Sequence, residues 1–128
     1  MRFLELFRDW EDEHEHDAQT VVFSERDSAD VMYVILSGEI ELTLHGEPLG
    51  VESKGGIVGE MAMIDSATHG ATATTLSNVK LARLNRGQLE DFIGKRPEFA
   101  LHVMEVMANR LRAVDKYITT QISPTGSR

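Results

Sequence analysis

The spacing of apolar positions changes period twice along this 128-residue chain. Near the start, Phe3, Leu6, Phe7 and Trp10 recur at helical spacing with Glu5, Arg8 and Asp9 between them, which predicts a short amphipathic helix docked on a core. The run EDEHEHD at 11–17 is the most polar stretch and reads as a solvated connector. From 20 to 84 the period becomes two. Ile40, Leu42 and Leu44 alternate with Glu39, Glu41 and Thr43, the pattern of a strand with one face in water. TVVF at 20–23 and VMYVIL at 31–36 are further short β-rich runs, the second apolar enough to be buried on both faces. Turn signals at Asp27-Ser28, Ser37-Gly38, His45-Gly46, Gly50, Gly55-Gly56 and Ser77-Asn78 separate these runs and predict a closed, all-β sandwich or roll.

The helical period returns near 87. Gln88 to Gly94 predicts a short helix, Gly94–Pro97 a break, and 98–120 a long helix. Leu101, Met104, Ala108, Leu111 and Ile118 lie along one stripe of it, which Val103, Met107 and Val114 widen. The expected organisation is therefore a single domain, mainly β with flanking helices. It comprises a helix and acidic connector (1–17), a β-roll (18–86), C-terminal helices (87–120) and a disordered tail (121–128).

Composition narrows the function classes. The chain has 41% hydrophobic and 27% charged residues, as ordinary globular domains do. No apolar run approaches the roughly 18 residues a membrane span needs, and no secretory leader is visible, so a cytoplasmic setting without membrane contact is expected. The absence of cysteine excludes disulfides, thiolate catalysis and Cys-ligated zinc. A net charge of −8 repels nucleic-acid phosphates, so DNA binding is not expected. It does not forbid a small anion in a pocket where backbone dipoles dominate locally. No serine sits in a Gly-x-Ser-x-Gly elbow and no nucleophile–base pair emerges, which argues against an enzyme.

The chemistry concentrates in GGIVGEMAMIDSATHGATATT, residues 55–75. It reads as a tight turn, a short helical turn beginning at Gly59-Glu60, and a polar loop entering a strand. Such an arrangement suits an anion held on backbone N–H groups with a carboxylate beside it. With VVFSERDSADVMYVILSGEIEL before it and LSNVKLARLNRGQLEDF after it, the segment resembles the phosphate-binding cassette of the cyclic nucleotide-binding domain family. The resemblance covers roughly residues 19–112 and rests on three motifs in register. It implies a β-roll of the jelly-roll type, closed by hinge and lid helices.

The resemblance also implies roles. Gly59 would allow close backbone approach, and Glu60 would accept the ribose 2′-hydroxyl. The amides of Met61 and Ala62 would face the cyclic phosphate, with Gly70, Ala71 and Thr72 on the far side of the cradle. The ligand would be cyclic AMP or cyclic GMP, with no other cofactor and no metal. Three positions depart from the family pattern. Gln19 and Arg26 stand where turn glycines are usual. His69 stands where the family places the arginine that pairs with the phosphate. Replacing a bidentate, permanently charged group by a mostly neutral imidazole removes roughly 2–5 kcal/mol, or tens- to thousands-fold in affinity. One reading keeps His69 facing the ligand, with affinity rising as pH falls through the region of 6 to 7. The other makes it an ordinary loop residue in a pocket that no longer binds nucleotide.

Two functions follow. The first is a non-enzymatic regulatory domain that binds a cyclic nucleotide or related small phosphate weakly and signals through its C-terminal helix. Only about eight residues follow Thr120, too few for a helix-turn-helix, so the expected output is to a partner protein unless the chain is a fragment of a longer one. The second is a degenerate domain serving as a protein–protein interaction or dimerisation module. In either, the 98–120 helix is the candidate homodimer surface, with Asp115 interrupting its stripe. A metal-binding cupin-like enzyme is a weaker third option, since the His14/His16 pair precedes the roll and His45 and His102 do not supply the remaining spacing.

Overall fold

The computed structural model describes residues 2–27, 30–63 and 69–122. A 3₁₀ segment, Arg2–Phe7, precedes eight strands: β1 (Glu13–His16), β2 (Val21–Phe23), β3 (Val31–Ser37), β4 (Ile40–Leu44), β5 (Glu47–Glu52), β6 (Ile57–Val58), β7 (Thr72–Thr75) and β8 (Val79–Asn85). A second 3₁₀ segment, Glu60–Met63, lies between β6 and β7, and helices α1 (Arg86–Lys95) and α2 (Glu98–Ile122) follow. The strands form two four-stranded antiparallel sheets, ordered β1-β8-β3-β6 and β2-β7-β4-β5. This is the β-roll that the alternating pattern and glycine turns predict.

The roll has two apolar clusters because β3, β6 and β8 are covered on both faces. Phe23, Ile35, Ile40, Leu42, Val58, Ala73 and Leu81 pack between the sheets. Met32, Val34, Ile57, Ala82 and Leu84 face the other way, onto Phe7, Phe92, Phe99, Val103 and Val106. The continuous apolar run at 31–36 thus follows from double burial. A ring stack fixes the helical side: Phe7 lies 4.8 Å from Phe92, which meets Phe99 edge-on at 4.8 Å. Asn85 begins α1 with a capping box, its Oδ1 accepting from the Gln88 amide while Gln88 Oε1 accepts from the Asn85 amide, each at 2.8 Å.

Four expectations need correction. The polar 11–17 run is not simply a connector, because Glu13–His16 pairs with β8 as an edge strand in register Glu13↔Ala82 to His16↔Val79. Arg83 ties it in further by donating from Nε to Asp12 Oδ2 at 2.7 Å. On an edge strand with neither face deeply covered, alternation of polarity is not required. The opening helix is 3₁₀ rather than α-helical, although Phe7 is fully buried as expected. On α2, the face against the roll is Phe99, Val103 and Val106, whereas Leu101, Met104, Leu111 and Ile118 are 67, 60, 70 and 46% exposed. Several apolar stripes coexist on this helix, and the packing partner selects among them. Helix α2 runs to Ile122, so the first two residues of the span expected to be a disordered tail are helical, and 123–128 lie outside the described residues. Residue 19 does need a left-handed backbone, since Gln19 has φ 61, while Arg26 is not among the positive-φ residues.

Candidate functional site

The cassette begins where β6 ends. Ile57 and Val58 bury their side chains, and Gly59 turns the chain at φ 81. A Cβ at Gly59 would lie 3.3 Å from the Val31 carbonyl oxygen and 3.3 Å from the His69 ring, so the glycine is required by conformation and by space. The turn delivers Glu60 into the interior, where it is 1% exposed. Burial pushes the Glu60 carboxyl above its ordinary value, and Arg110 opposes that rise.

Arg110, on α2, closes over this carboxylate. Its Nη1 donates to both Glu60 oxygens, at 3.1 and 3.2 Å. Its Nη2 donates to the Ile57 carbonyl at 2.8 Å and to Glu52 Oε2 at 3.3 Å. About two turns earlier, His102 Nε2 donates to the Gly55 carbonyl at 3.0 Å. The long helix is therefore tied both to the 52–57 turn and to the cassette.

His69 enters from the strand side. It is 6% exposed and stacks on Phe23 with ring centroids 3.8 Å apart and planes 19° from parallel. Phe23 in turn lies parallel to Tyr33 at 6.1 Å. Among the described residues, His69 Nδ1 has no hydrogen-bond partner. Burial holds the imidazole below its ordinary value near 6.5, with Asp27 and Asp30 pulling the other way. A neutral ring stacked in an aromatic column follows, and the pH window expected for protonating it moves below 6.5.

A cavity of about 230 Å³ lies between the cassette, β4, β5 and α2. Gly59, Glu60, Met61, His69, Gly70 and Ala71 line it, together with Phe23, Leu42 and Leu49 from the roll and Met107, Arg110, Leu111 and Val114 from α2. Six of the eight predicted site residues thus converge. Thr72 is not on the wall, because its hydroxyl accepts from the Glu25 amide at 3.1 Å. The Ala62 side chain lies outside what is described. Sequence reasoning missed Arg110 and Glu52. The available signal was an arginine set within the apolar stripe Met107, Leu111 and Val114. A larger open groove of about 850 Å³ lies over Trp10 and Phe92, and no cassette residue lines it.

A roll capped by α2, with Gly59-Glu60 opening a buried turn, defines the class. The family described as "Cyclic nucleotide-binding domain" matches residues 13–96. The chain is 26% identical over 106 residues to a CRP-like cAMP-activated global transcriptional regulator of Mycobacterium tuberculosis, covering 79% of this chain and 47% of that protein. It is 31% identical over 75 residues to a cAMP-dependent protein kinase regulatory subunit of Emericella nidulans, covering 57% of this chain and 18% of that one. In fold it is similar to the Thermus thermophilus catabolite activator protein, with TM-score 0.73 and 22% identity over 94% of this chain and 59% of the other. The chain belongs to the cyclic nucleotide-binding domain family. It spans about half the length of the bacterial regulator it matches. Among the described residues, no helix is long and apolar enough to cross a membrane.

Proposed function

We propose that this chain is a non-enzymatic regulatory domain that takes a cyclic nucleotide weakly in the Glu60–His69 cavity and signals through α2. The observation that carries this reading is the Glu60–Arg110 pair, which joins the ribose-binding position of the cassette directly to the long helix. Cavities that take small ligands are typically about 300–1,000 Å³. At about 230 Å³ with four α2 side chains in its wall, this one is small, and a shift of α2 is the movement that would enlarge it. Ligand binding and helix position are then one equilibrium, and the ligand shifts it as far as it prefers the displaced state. Weak affinity follows from His69, which presents a neutral ring where a guanidinium would meet the phosphate.

The test is calorimetric titration with cyclic AMP alongside thermal melts at millimolar nucleotide. Weak saturable binding is expected, with a rise in melting temperature as RT ln(1 + [L]/Kd) requires. His69→Arg should tighten binding by roughly tens-fold or more. No shift for either protein would remove the nucleotide function.

A second reading, a domain that works only through protein contacts, is favoured by the stacking of His69 on Phe23, which closes part of the hollow. Both readings use the exposed face of α2. Met104, Leu111 and Ile118 recur every seven residues with Leu101 beside them, a spacing that suits pairing with the same helix of a second copy. Sedimentation of the native protein and of Leu111→Lys tests this, the variant being expected to sediment as the smaller species.

A further inference from the structure

A cation strengthens the hold of a pocket on an anionic ligand, and the buried His69 ring stacked on Phe23 is not placed to supply a permanent one. Among the described residues that line the cavity, Arg110 carries the permanent positive charge. That charge is already shared. Glu60 and Glu52 both accept from the same guanidinium, so the three-residue cluster is net negative when both are ionised. The two carboxylates are held differently. The Glu60 side chain is 2% exposed and accepts from Nη1 with both of its oxygens, whereas the Glu52 side chain is 30% exposed and takes a single bond at 3.3 Å. Glu52 also has a seat shaped for it: a Cβ on Gly56 would fall 2.6 Å from Glu52 Oε1 and 2.9 Å from the Ser53 carbonyl oxygen.

We infer that a ligand's anionic group is held by Arg110 of α2 in exchange for Glu52, which lies behind the guanidinium rather than on the cavity wall and acts as a built-in competing anion. The inference rests on the cavity being a ligand site and names the side chain that supplies its missing charge. The exchange conserves hydrogen bonds. Nη2 keeps the Ile57 carbonyl, gives up one carboxylate oxygen and gains a phosphate oxygen, while Glu52 swings into water. A bidentate guanidinium is suited to both partners. The cation would then come from the moving helix rather than from the cassette, so phosphate binding would itself set the position of α2.

Calorimetric titration of cyclic AMP, and separately of adenosine as the phosphate-free probe, into native protein, Glu52→Gln and Arg110→Gln tests this. Removing the competitor should tighten cyclic AMP by roughly three- to tenfold and leave adenosine unchanged. Arg110→Gln should weaken cyclic AMP at least about tenfold. Unchanged or weaker cyclic AMP binding to Glu52→Gln, an equal gain for adenosine, or native affinity in Arg110→Gln overturns the inference while leaving the nucleotide reading intact. No binding of cyclic AMP to any of the three proteins removes both. Should Arg110→Gln fail to fold, the Glu52→Gln pair of titrations decides alone, since Glu52 is partly exposed and amide replacement preserves its shape.

Discussion

The two apolar clusters of this molecule differ in what borders them. The helix-side cluster of Phe7, Phe92, Phe99, Val103 and Val106 is made wholly of hydrophobic side chains, with three aromatic rings in mutual contact. The cluster between the sheets ends at Glu60 and His69, one a buried carboxylate tied to a distant helix and the other a ring with an unpartnered nitrogen. The first is organised for stability. At the edge of the second, the buried His69 Nδ1 has no partner among the described residues, which costs stability and marks the place where another molecule could complete the bonding.

The largest effect should come from breaking the first region. Phe99→Ala removes the ring that joins α2 to Phe92 and should cost about 3–5 kcal/mol of unfolding free energy, measured by urea denaturation. If the loss is below about 1 kcal/mol, the helix-side cluster is not the base on which α2 stands. Gly59→Ala probes the second region. The substitution forces a Cβ at φ 81 against His69 and the Val31 carbonyl and should cost about 1–2 kcal/mol in the same measurement. Displacement of the His69 ring should accompany it, seen as a change in the imidazole proton resonances.

The smallest effect is the pH response of His69. Its proton affinity is depressed in the folded state, so the folded site stays neutral while the unfolded chain takes up a proton below about 6.5. Stability is therefore fully present above that value and declines as pH falls through it. The melting temperature should drop between pH 7.5 and pH 5.5, and His69→Phe should show a smaller drop. Equal slopes for the two proteins would mean that the ring is hydrated rather than buried.

Much of the roll was legible in local pattern. The alternation at Ile40–Leu44 and the run at 31–36 report which faces are covered, and a covered face demands apolar side chains wherever it occurs. The edge strand Glu13–His16 was not legible, because it is fixed by backbone bonds to β8 and by Arg83 on Asp12, neither of which leaves an apolar signature. The cassette positions were legible in their order, Gly59-Glu60 and then His69 to Ala71. The occupants of the site were not. Glu60 and Arg110 are fifty residues apart, and nothing local at either position announces the other.

The amino-acid sequence determined the succession of elements apart from the edge strand Glu13–His16, the all-β centre between helical ends, and the glycine-led turn at Gly59-Glu60. Those features depend on backbone preferences and on the period of burial, which are local properties. Only the tertiary structure decided which stripe of α2 meets the roll, that His69 lies flat on Phe23, and that a guanidinium from the last helix reaches two carboxylates at once. These depend on the distance and angle at which separate elements dock, and a chain's local pattern carries no record of either.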